Sequence, residues 1–253
     1  SSRTARTNFA LRETNVGGAV VVHPSYWLSI GERVEYLTPR IGRGTDPRFP
    51  STELVFSEPQ TPGLTAQPDF VRAETFVSID YGDPPLNPRA GGRYRLSYQQ
   101  YHDRDLDRFS FARFDVDFQQ YVPFWKRHRT IVLRALASLS DADAGHEVPF
   151  YLQRTLGGAY SVRGFRAFRF RDRNLLLLQA EYRWEINPFV TGAIFYDAGK
   201  VAAHREDLDL NDLERSYGFG LRLGSRAGVA IRAEAAFGSG EGTRFLLRFN
   251  NVF

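Results

Sequence analysis

Most of the chain alternates between apolar and polar positions, and residues 244–253 show this pattern most clearly. One parity comprises Phe245, Leu247, Phe249 and Phe253, and the other comprises Arg244, Leu246, Arg248 and Asn250. Successive side chains of a β-strand point to opposite faces of a sheet. A strand over this segment would therefore present one face suited to lipid and one suited to water.

The same alternation recurs along most of the sequence and predicts about eleven strands. They cover residues 8–23, 27–40, 69–82, 91–103, 108–121, 129–140, 173–187, 189–200, 216–225, 228–238 and 243–253. Short links, such as Asn187-Pro188 and residues 225–228, alternate with long ones over 42–68, 140–172 and 201–215. Short turns on one side and long loops on the other are typical of outer-membrane barrels.

The alternation also assigns side chains to faces, although a soluble β-sandwich alternates as well. Strands of ten or more residues, the outward Tyr and Trp near strand ends and the asymmetric links favour the barrel. The lipid-facing group is predicted to include Tyr182, Trp184, Ile231, Phe245, Leu247 and Phe249. The lumen-facing group is predicted to include Gln179, Glu181, Arg183, Arg232, Glu234 and Arg248. Cysteines introduced at these positions should react with a membrane-impermeant reagent, whereas cysteines at the lipid-facing positions should not.

Composition narrows the choice of function. The chain has 253 residues, 42% of them hydrophobic, and no run of 18 apolar residues that would predict a helical membrane span. It has no Cys, which excludes disulfides and thiolate catalysis. The net charge is +4, but the arginines are interleaved with carboxylates rather than clustered, so nucleic-acid binding is not expected.

Candidate metal and catalytic motifs fail on spacing. Asp103, Asp105 and Asp107 begin like a calcium loop, but Arg108 and Phe114 stand where that loop needs Gly and Glu. The five His show no zinc-type spacing, and no Gly-x-Ser-x-Gly elbow is present. We therefore expect no metal, no cofactor and no enzymatic activity.

Two short motifs stand out. The long connection over 140–172 contains Val162-Arg163-Gly164-Phe165, and a later strand contains Phe195-Tyr196-Asp197-Ala198-Gly199. With the aromatic last strand, their order and spacing resemble the BamA/TamA outer-membrane assembly superfamily, also called the bacterial surface-antigen barrel family. Residues 81–91 are also similar to a periplasmic turn of that family.

The resemblance implies roles for these residues. Val162, Arg163, Gly164 and Phe165 would form the tip of a loop folded into the barrel lumen. Phe195, Asp197 and Gly199 would lie on an inward strand face. Phe245, Leu247, Phe249 and Phe253 would form a C-terminal signal read by the assembly machinery, so that losing Phe253 would slow assembly more than it lowers stability.

Elementary electrostatics leads to a specific contact. Arg163 inside a lumen of reduced dielectric needs a carboxylate, because an unpaired buried guanidinium is costly. Asp197 has the inward parity that it shares with Thr191, Ala193 and Phe195. We therefore predict a salt bridge between Arg163 and Asp197. Gly164 would allow the loop backbone to turn tightly or to approach the wall.

The expected fold is an all-β transmembrane antiparallel barrel, of which residues 1–253 supply the C-terminal eleven strands. Bacterial single-chain barrels have even strand counts. We therefore expect an N-terminally truncated domain. The resemblance implies a 16-stranded barrel for the whole, and no periplasmic docking domain is expected within residues 1–253.

The resemblance implies insertion or translocation of outer-membrane proteins, through a lateral seam and the lumen loop, in the outer membrane of a Gram-negative-type bacterium. Implied partners are outer-membrane lipid and lipopolysaccharide, unfolded outer-membrane proteins or a secreted partner, and periplasmic accessory proteins. The alternatives are a substrate-specific secretion or diffusion pore, and a membrane anchor for an attached enzyme domain. An outer-membrane enzyme is a further alternative, and it would need a cluster of Ser, His and carboxylate side chains near the membrane interface.

Overall fold

The computed structural model describes residues 7–83, 88–126, 128–224 and 228–249, which form thirteen β-strands and three short 3₁₀ turns. The strands are β1 Phe9–Ser25, β2 Leu28–Arg43, β3 Phe70–Asp80, β4 Gly91–Asp103, β5 Phe111–Phe124, β6 Arg129–Ala142, β7 Arg154–Leu156, β8 Phe170–Asp172, β9 Asn174–Asn187, β10 Val190–Ala202, β11 Glu214–Gly224, β12 Val229–Gly238 and β13 Gly242–Phe249. The 3₁₀ turns are Thr52–Leu54, Phe150–Leu152 and Arg205–Asp207.

Eleven of these strands form one antiparallel sheet, as the alternation predicted. Its order is β1-β2-β3-β4-β5-β6-β9-β10-β11-β12-β13, so every strand pairs with its neighbours along the chain except where β7 and β8 intervene. β7 and β8 pair with each other inside the connection between β6 and β9. Three-residue strands are too short to produce a readable alternation, which is why the sequence did not indicate them.

The start of β5 differs from the prediction. The sequence pattern placed it at residue 108, but the strand begins at Phe111. The Asp103 carboxylate at the end of β4 accepts hydrogen bonds from the backbone N–H groups of Arg108 and Phe109, at 3.1 Å each. These bonds hold the backbone in a turn and delay its entry into the ladder.

The two faces of the sheet differ sharply in polarity. One face carries an apolar row with one residue from each of seven paired strands, β5, β6 and β9 to β13. These residues are Val122, Ile131, Tyr182, Ile194, Phe219, Ala235 and Phe245. Aligned across β3 to β11, the opposite face carries the polar row Asp80, Arg93, Gln119, Arg134, Gln179, Asp197 and Ser216. We call these the apolar face and the polar face.

The polar face becomes apolar near the long-loop end. Leu37, Phe70, Tyr101 and Phe111 lie there on neighbouring strand ends, and the rings of Tyr101 and Phe111 stack at 4.3 Å. Loop residues cover this group and complete a buried cluster; they are Leu64, Phe109, Val148, Phe150 and Tyr151. The cluster anchors the long connections 44–69 and 143–153 on the sheet.

The outermost strands of the sheet are β1 and β13, and no ladder joins them within the described residues. Closure into a barrel and a count of 16 strands therefore stay predictions. Phe253 and Asn250, like residues 84–87 of the predicted periplasmic turn, lie outside the described residues. Among the residues described, no helix is long and apolar enough to cross a membrane.

Candidate functional site

The connection between β6 and β9, residues 143–173, folds back over the polar face instead of extending away from the sheet. Glycines shape its tip. Gly157 and Gly158 have φ of +112° and +95°, a region that L side chains rarely adopt. The Gly158 N–H donates to the Phe165 carbonyl at 3.0 Å and closes the tip around Val162-Phe165. We call residues 157–169 the loop tip.

Arg163 and Asp197 form the predicted salt bridge. The Arg163 guanidinium donates from Nη2 to Asp197 Oδ1 at 2.7 Å and from Nε to Oδ2 at 2.9 Å. The Arg163 backbone N–H donates to the same Oδ2 at 3.1 Å. The Asp197 side chain is fully buried, and Arg163 is 5% exposed. A bidentate guanidinium–carboxylate contact fixes the relative orientation of the two side chains as well as their distance.

Two more carboxylates contact the same guanidinium. Arg163 Nη1 donates to Glu181 Oε2 on β9 at 2.9 Å and to Glu234 Oε1 on β12 at 3.3 Å. The Phe195 ring lies beneath the guanidinium, with its centroid 3.4 Å from Cζ. The parity analysis placed Glu181 and Glu234 on the polar face, but it gave no sign that both would meet at Arg163.

Asp197 has further donors. Gln179 Nε2 donates to Oδ1 at 3.1 Å, and Ser216 Oγ donates to Oδ2 at 3.2 Å. Gln179 also donates to the Ser161 carbonyl in the loop tip at 2.8 Å. The carboxylate is thereby saturated, as a buried charge must be to avoid a large desolvation penalty.

The surroundings stabilise the charged form of Arg163. Burial by itself disfavours the cation, but the hydrogen bonds and charge of Asp197, with the charges of Glu181 and Glu234, raise the pKa of Arg163 above its ordinary value. Arg163 is therefore a cation at neutral pH, and the loop tip carries its positive charge into the group of carboxylates.

The other motif residues position the loop tip. Val162 and Phe165 are buried in an apolar cluster with Leu156, Leu175 and Leu177. A Cβ on Gly164 would lie 2.5 Å from the Gly238 backbone nitrogen, and a Cβ on Gly238 would lie 2.6 Å from the Gly164 carbonyl oxygen. The tip thus touches the end of β12 through two backbones. Gly238 belongs to this contact, and no sequence motif indicated it.

Gly199 makes room for the loop in a similar way. A Cβ there would lie 2.7 Å from the Leu176 carbonyl oxygen and 3.2 Å from Cδ1 of Leu156, which belongs to the loop strand β7. The three residues of the inward strand motif therefore have separate tasks. Phe195 stacks on the cation, Asp197 neutralises it, and Gly199 allows the loop to approach the strand.

The last described strand is connected to the same network. Arg248 of β13 donates to Glu234 of β12, and its Nη1 donates to the Ala159 carbonyl in the loop tip at 2.9 Å. On the opposite face of β13, Phe245, Leu247 and Phe249 are 84%, 61% and 70% exposed. The faces of these residues agree with the predicted parity, whereas their role as an assembly signal stays a prediction.

The arrangement is suited to holding the loop in place. Within the described ranges, no group of three or more His, Asp or Glu side chains could hold a metal ion. The Asp103 carboxylate, which began the calcium-like run, accepts backbone N–H groups of its own turn instead. What the site provides is a charged latch that joins the loop tip to β9, β10 and β12.

Comparisons with known proteins agree with this architecture. The chain resembles the crystal structure of BamA from Haemophilus ducreyi lacking POTRA domains 1-3, with a TM-score of 0.73 and 14% identity over 94% of this chain and 54% of that chain. It also resembles CdiB from Escherichia coli, with a TM-score of 0.58 and 13% identity over 96% of this chain and 44% of that chain. At such identities the likeness is one of fold, and the chain spans about half the length of each structure.

A family model described as the Omp85 superfamily domain matches residues 4–243, nearly the whole chain. This match confirms the family resemblance that the two motifs and the aromatic strand indicated. The chain belongs to the Omp85 superfamily of outer-membrane proteins.

Proposed function

We propose that this chain forms part of an outer-membrane β-barrel that inserts outer-membrane proteins or translocates them, in a Gram-negative-type bacterium. The observation that carries the proposal is the latch of Arg163 with Asp197, Glu181 and Glu234, which fixes the loop tip against the polar face. The apolar row across seven strands supports a lipid-facing exterior, because exposed apolar surface of that extent marks a membrane or interaction surface.

In this proposal the polar face lines the lumen and residues 143–173 occupy it. A wide barrel lumen is often plugged by a loop, and a plug must be held by buried contacts. The Arg163 latch supplies charged contacts, and the cluster of Val162 and Phe165 supplies apolar ones. An outward-extending loop would have no need of either.

The proposed seam lies beside β13. This strand pairs with β12 from Gly242 to Phe249, and its other edge has no partner among the described residues. An unpaired edge offers backbone N–H and C=O groups to an incoming strand. Local thinning of the bilayer beside this edge would lower the barrier to insertion.

The proposed partners follow from this mechanism. They are unfolded outer-membrane proteins or one secreted partner, surrounding lipid and lipopolysaccharide, and periplasmic accessory proteins. The protein would act without a cofactor, without nucleic acid and without breaking bonds, because the site consists of paired charges and apolar contacts rather than an activated nucleophile.

Reconstitution tests the proposal. The full chain would be placed in lipid vesicles, and a urea-unfolded barrel protein would be diluted into them. We expect protease-protected substrate to accumulate faster than in empty vesicles, and Asp197→Ala to remove much of that gain. Asp141→Ala is the matched control, because its ion pair with Arg205 is exposed and includes no residue of the loop tip. A rate equal to that of empty vesicles would refute insertion; a steady ionic conductance in planar bilayers would indicate a pore instead.

The role of the last strand is tested separately. If Phe249 belongs to an assembly signal, Phe249→Ala should slow membrane assembly in cells more than it lowers stability of the folded barrel in detergent. The assembly machinery would recognise the last strand by strand addition while the barrel is being assembled. A single exposed ring contributes little to the stability of the barrel once it has folded. Equal losses in the two assays would leave only an anchoring role at the membrane interface.

A further inference from the structure

A cavity of about 160 Å³ lies between the loop tip and the polar face of the sheet. Ala159, Tyr160 and Arg163 of the loop tip form one side of it. The strands contribute most of the rest of its wall. Its most prominent feature is a set of six arginines: Arg134, Arg163, Arg183, Arg222, Arg232 and Arg248.

The carboxylates around the cavity do not balance these cations. The carboxylates that pair with the six arginines are Asp117, Asp197, Glu181 and Glu234. Six positive charges against four negative ones leave an excess of two among the described residues. Where the side chains are buried, uncompensated charge is unfavourable.

The buried guanidinium N–H groups of the cavity wall that lack an acceptor within the described ranges belong to Arg222, Arg232 and Arg248. Arg222 is 2% exposed and contacts Glu181 through Nη2, but its Nε and Nη1 have no hydrogen-bond partner among the described residues. Nε of Arg232 and Nε of Arg248 are likewise buried without a partner in that part of the chain. Each such donor is costly when nothing accepts its hydrogen bond. Buried donors that line a polar cavity indicate a ligand with acceptor oxygens.

We propose that this cavity binds one tetrahedral oxyanion of the phosphate class. A phosphate dianion carries the two negative charges that the wall lacks, and its oxygens match the unpartnered guanidinium N–H groups. The space suffices, because the cavity volume of about 160 Å³ is several times the volume of about 30 Å³ that one water molecule occupies in the liquid. The bound anion bridges Arg163 of the loop tip to Arg222 and Arg232 of the sheet. It thereby strengthens the attachment of the loop tip on the side that faces the cavity.

The phosphate group can come from the free ion or from a lipid headgroup. The cavity lies on the polar face, opposite the apolar row that includes Ile131 and Phe219. A lipid would therefore have to bring its headgroup around a strand edge. Both sources present the same oxygens to the arginines, and the experiment separates them.

The test uses the full chain in a neutral, phosphate-free detergent, and it measures binding rather than insertion, so it is independent of the proposed function. Inorganic phosphate is titrated by calorimetry against sodium chloride of equal ionic strength. We expect saturable binding of phosphate, and a loss of about tenfold in affinity for each of Arg222→Gln and Arg232→Gln, as expected when a charged hydrogen bond worth about 1.4 kcal/mol is removed. Arg205→Gln, which removes an exposed arginine outside the cavity, should bind like the unmodified protein.

A second arm uses a phosphomonoester lipid dissolved in the same detergent. Binding of the lipid that is lost in Arg232→Gln, without binding of free phosphate, would assign the site to a headgroup. Phosphate binding that the lipid does not compete with would assign it to the free ion. Absence of saturable binding in both arms, or equal binding by the Arg222 and Arg232 variants and the unmodified protein, would overturn the proposal. The unmodified protein alone decides whether binding occurs, and the loss in a variant counts only if its melting temperature in the same detergent shows that it is folded.

Discussion

Arg163 depends on carboxylates from three strands, so the latch is a network rather than a single pair. Asp197 is its central acceptor, since it receives the guanidinium, the Arg163 backbone N–H, Gln179 and Ser216. Removing one partner of a buried charge pair leaves the other charge without compensation. The burial of this group makes its residues far more sensitive to substitution than the many exposed ion pairs of the protein.

Asp197→Ala should therefore destabilise docking of the loop by about 3–5 kcal/mol, the usual cost of an uncompensated buried charge. Glu181 and Glu234 would retain part of the attraction, which favours the lower end of the range. Protease cleavage within residues 157–169 in detergent measures this effect. Asp141→Ala, which breaks an exposed pair, should leave cleavage unchanged. Unchanged cleavage in the Asp197 variant would mean that the latch does not hold the loop.

Gly164→Ala tests the backbone contact without altering charge. The added Cβ would lie 2.5 Å from the Gly238 nitrogen, so the loop tip must move away from β12. Overpacking of this kind costs about 1–3 kcal/mol. Gly18→Ala on β1 is the control, because a Cβ there meets nothing within 4 Å. Equal melting temperatures for the two variants would contradict the close approach.

The long connections behave as folded elements with their own internal contacts. In the connection between β2 and β3, Glu58 accepts hydrogen bonds from the backbone N–H groups of Gly63 at 2.8 Å and Thr65 at 2.7 Å. Leu64, held between them, reaches into the apolar cluster at the long-loop end. A single carboxylate thus shapes the turn that anchors this connection on the sheet.

That carboxylate should make the connection sensitive to acid. Burial alone raises the pKa of Glu58, but the hydrogen bonds from Thr65 and Gly63 and the charge of Arg108 bring it below its ordinary value of 4.5. The folded form thus binds the proton less tightly than the unfolded form. Its stabilising contribution is present above pH 4.5 and is lost as the pH falls through the lower, folded value.

Amide hydrogen exchange of residues 58–65 at decreasing pH measures this loss, after correction for intrinsic exchange rates. We expect protection to decrease in acid, while the strands of the sheet remain protected. Glu58→Gln should lower protection at neutral pH and remove its pH dependence, because the amide does not titrate in this range. A Glu58→Gln variant with the same acid transition would show that another group is responsible.

The whole sheet separates an apolar face from a polar face, and a one-residue slip in register would exchange them. The absence of Cys from the chain makes this property directly measurable. The low exposure of two polar-face residues changes the labelling that is expected of them. Glu181 and Glu234 face the polar side as predicted, but they lie beneath the loop tip and are 8% and 4% exposed, so a reagent in water should reach them poorly.

Arg95 and Leu96 provide a sharper test, because they are adjacent on β4 and point to opposite faces. The Arg95 side chain is 39% exposed on the polar face, and Leu96 is 47% exposed on the apolar face. In lipid vesicles, a cysteine at position 95 should react with a membrane-impermeant maleimide, whereas one at 96 should react only after unfolding. Labelling of both positions in the folded protein would indicate that neither face is covered by lipid.

The sequence by itself determined the number of strands in the main sheet, their order and the face that each side chain takes. These properties depend on a period of two residues, which is local and can be read from any segment such as 176–186 or 229–237. It also indicated the pairing of Arg163 with Asp197, because the family resemblance of the two motifs implied a loop tip inside the lumen, a buried guanidinium requires a carboxylate, and Asp197 has inward parity.

Only the tertiary structure decided what meets across the sheet. Arg163 contacts Glu181 and Glu234, which follow it by 18 and 71 residues along the chain. Gly164 contacts Gly238, which follows it by 74 residues. No local period encodes such distances; they follow from strand register and from the path of the loop. The arginine-lined cavity arises in the same way, since its six guanidinium groups come from five strands and one loop. Alternation sets the polarity of a face, and packing decides which of its charges remain without a partner.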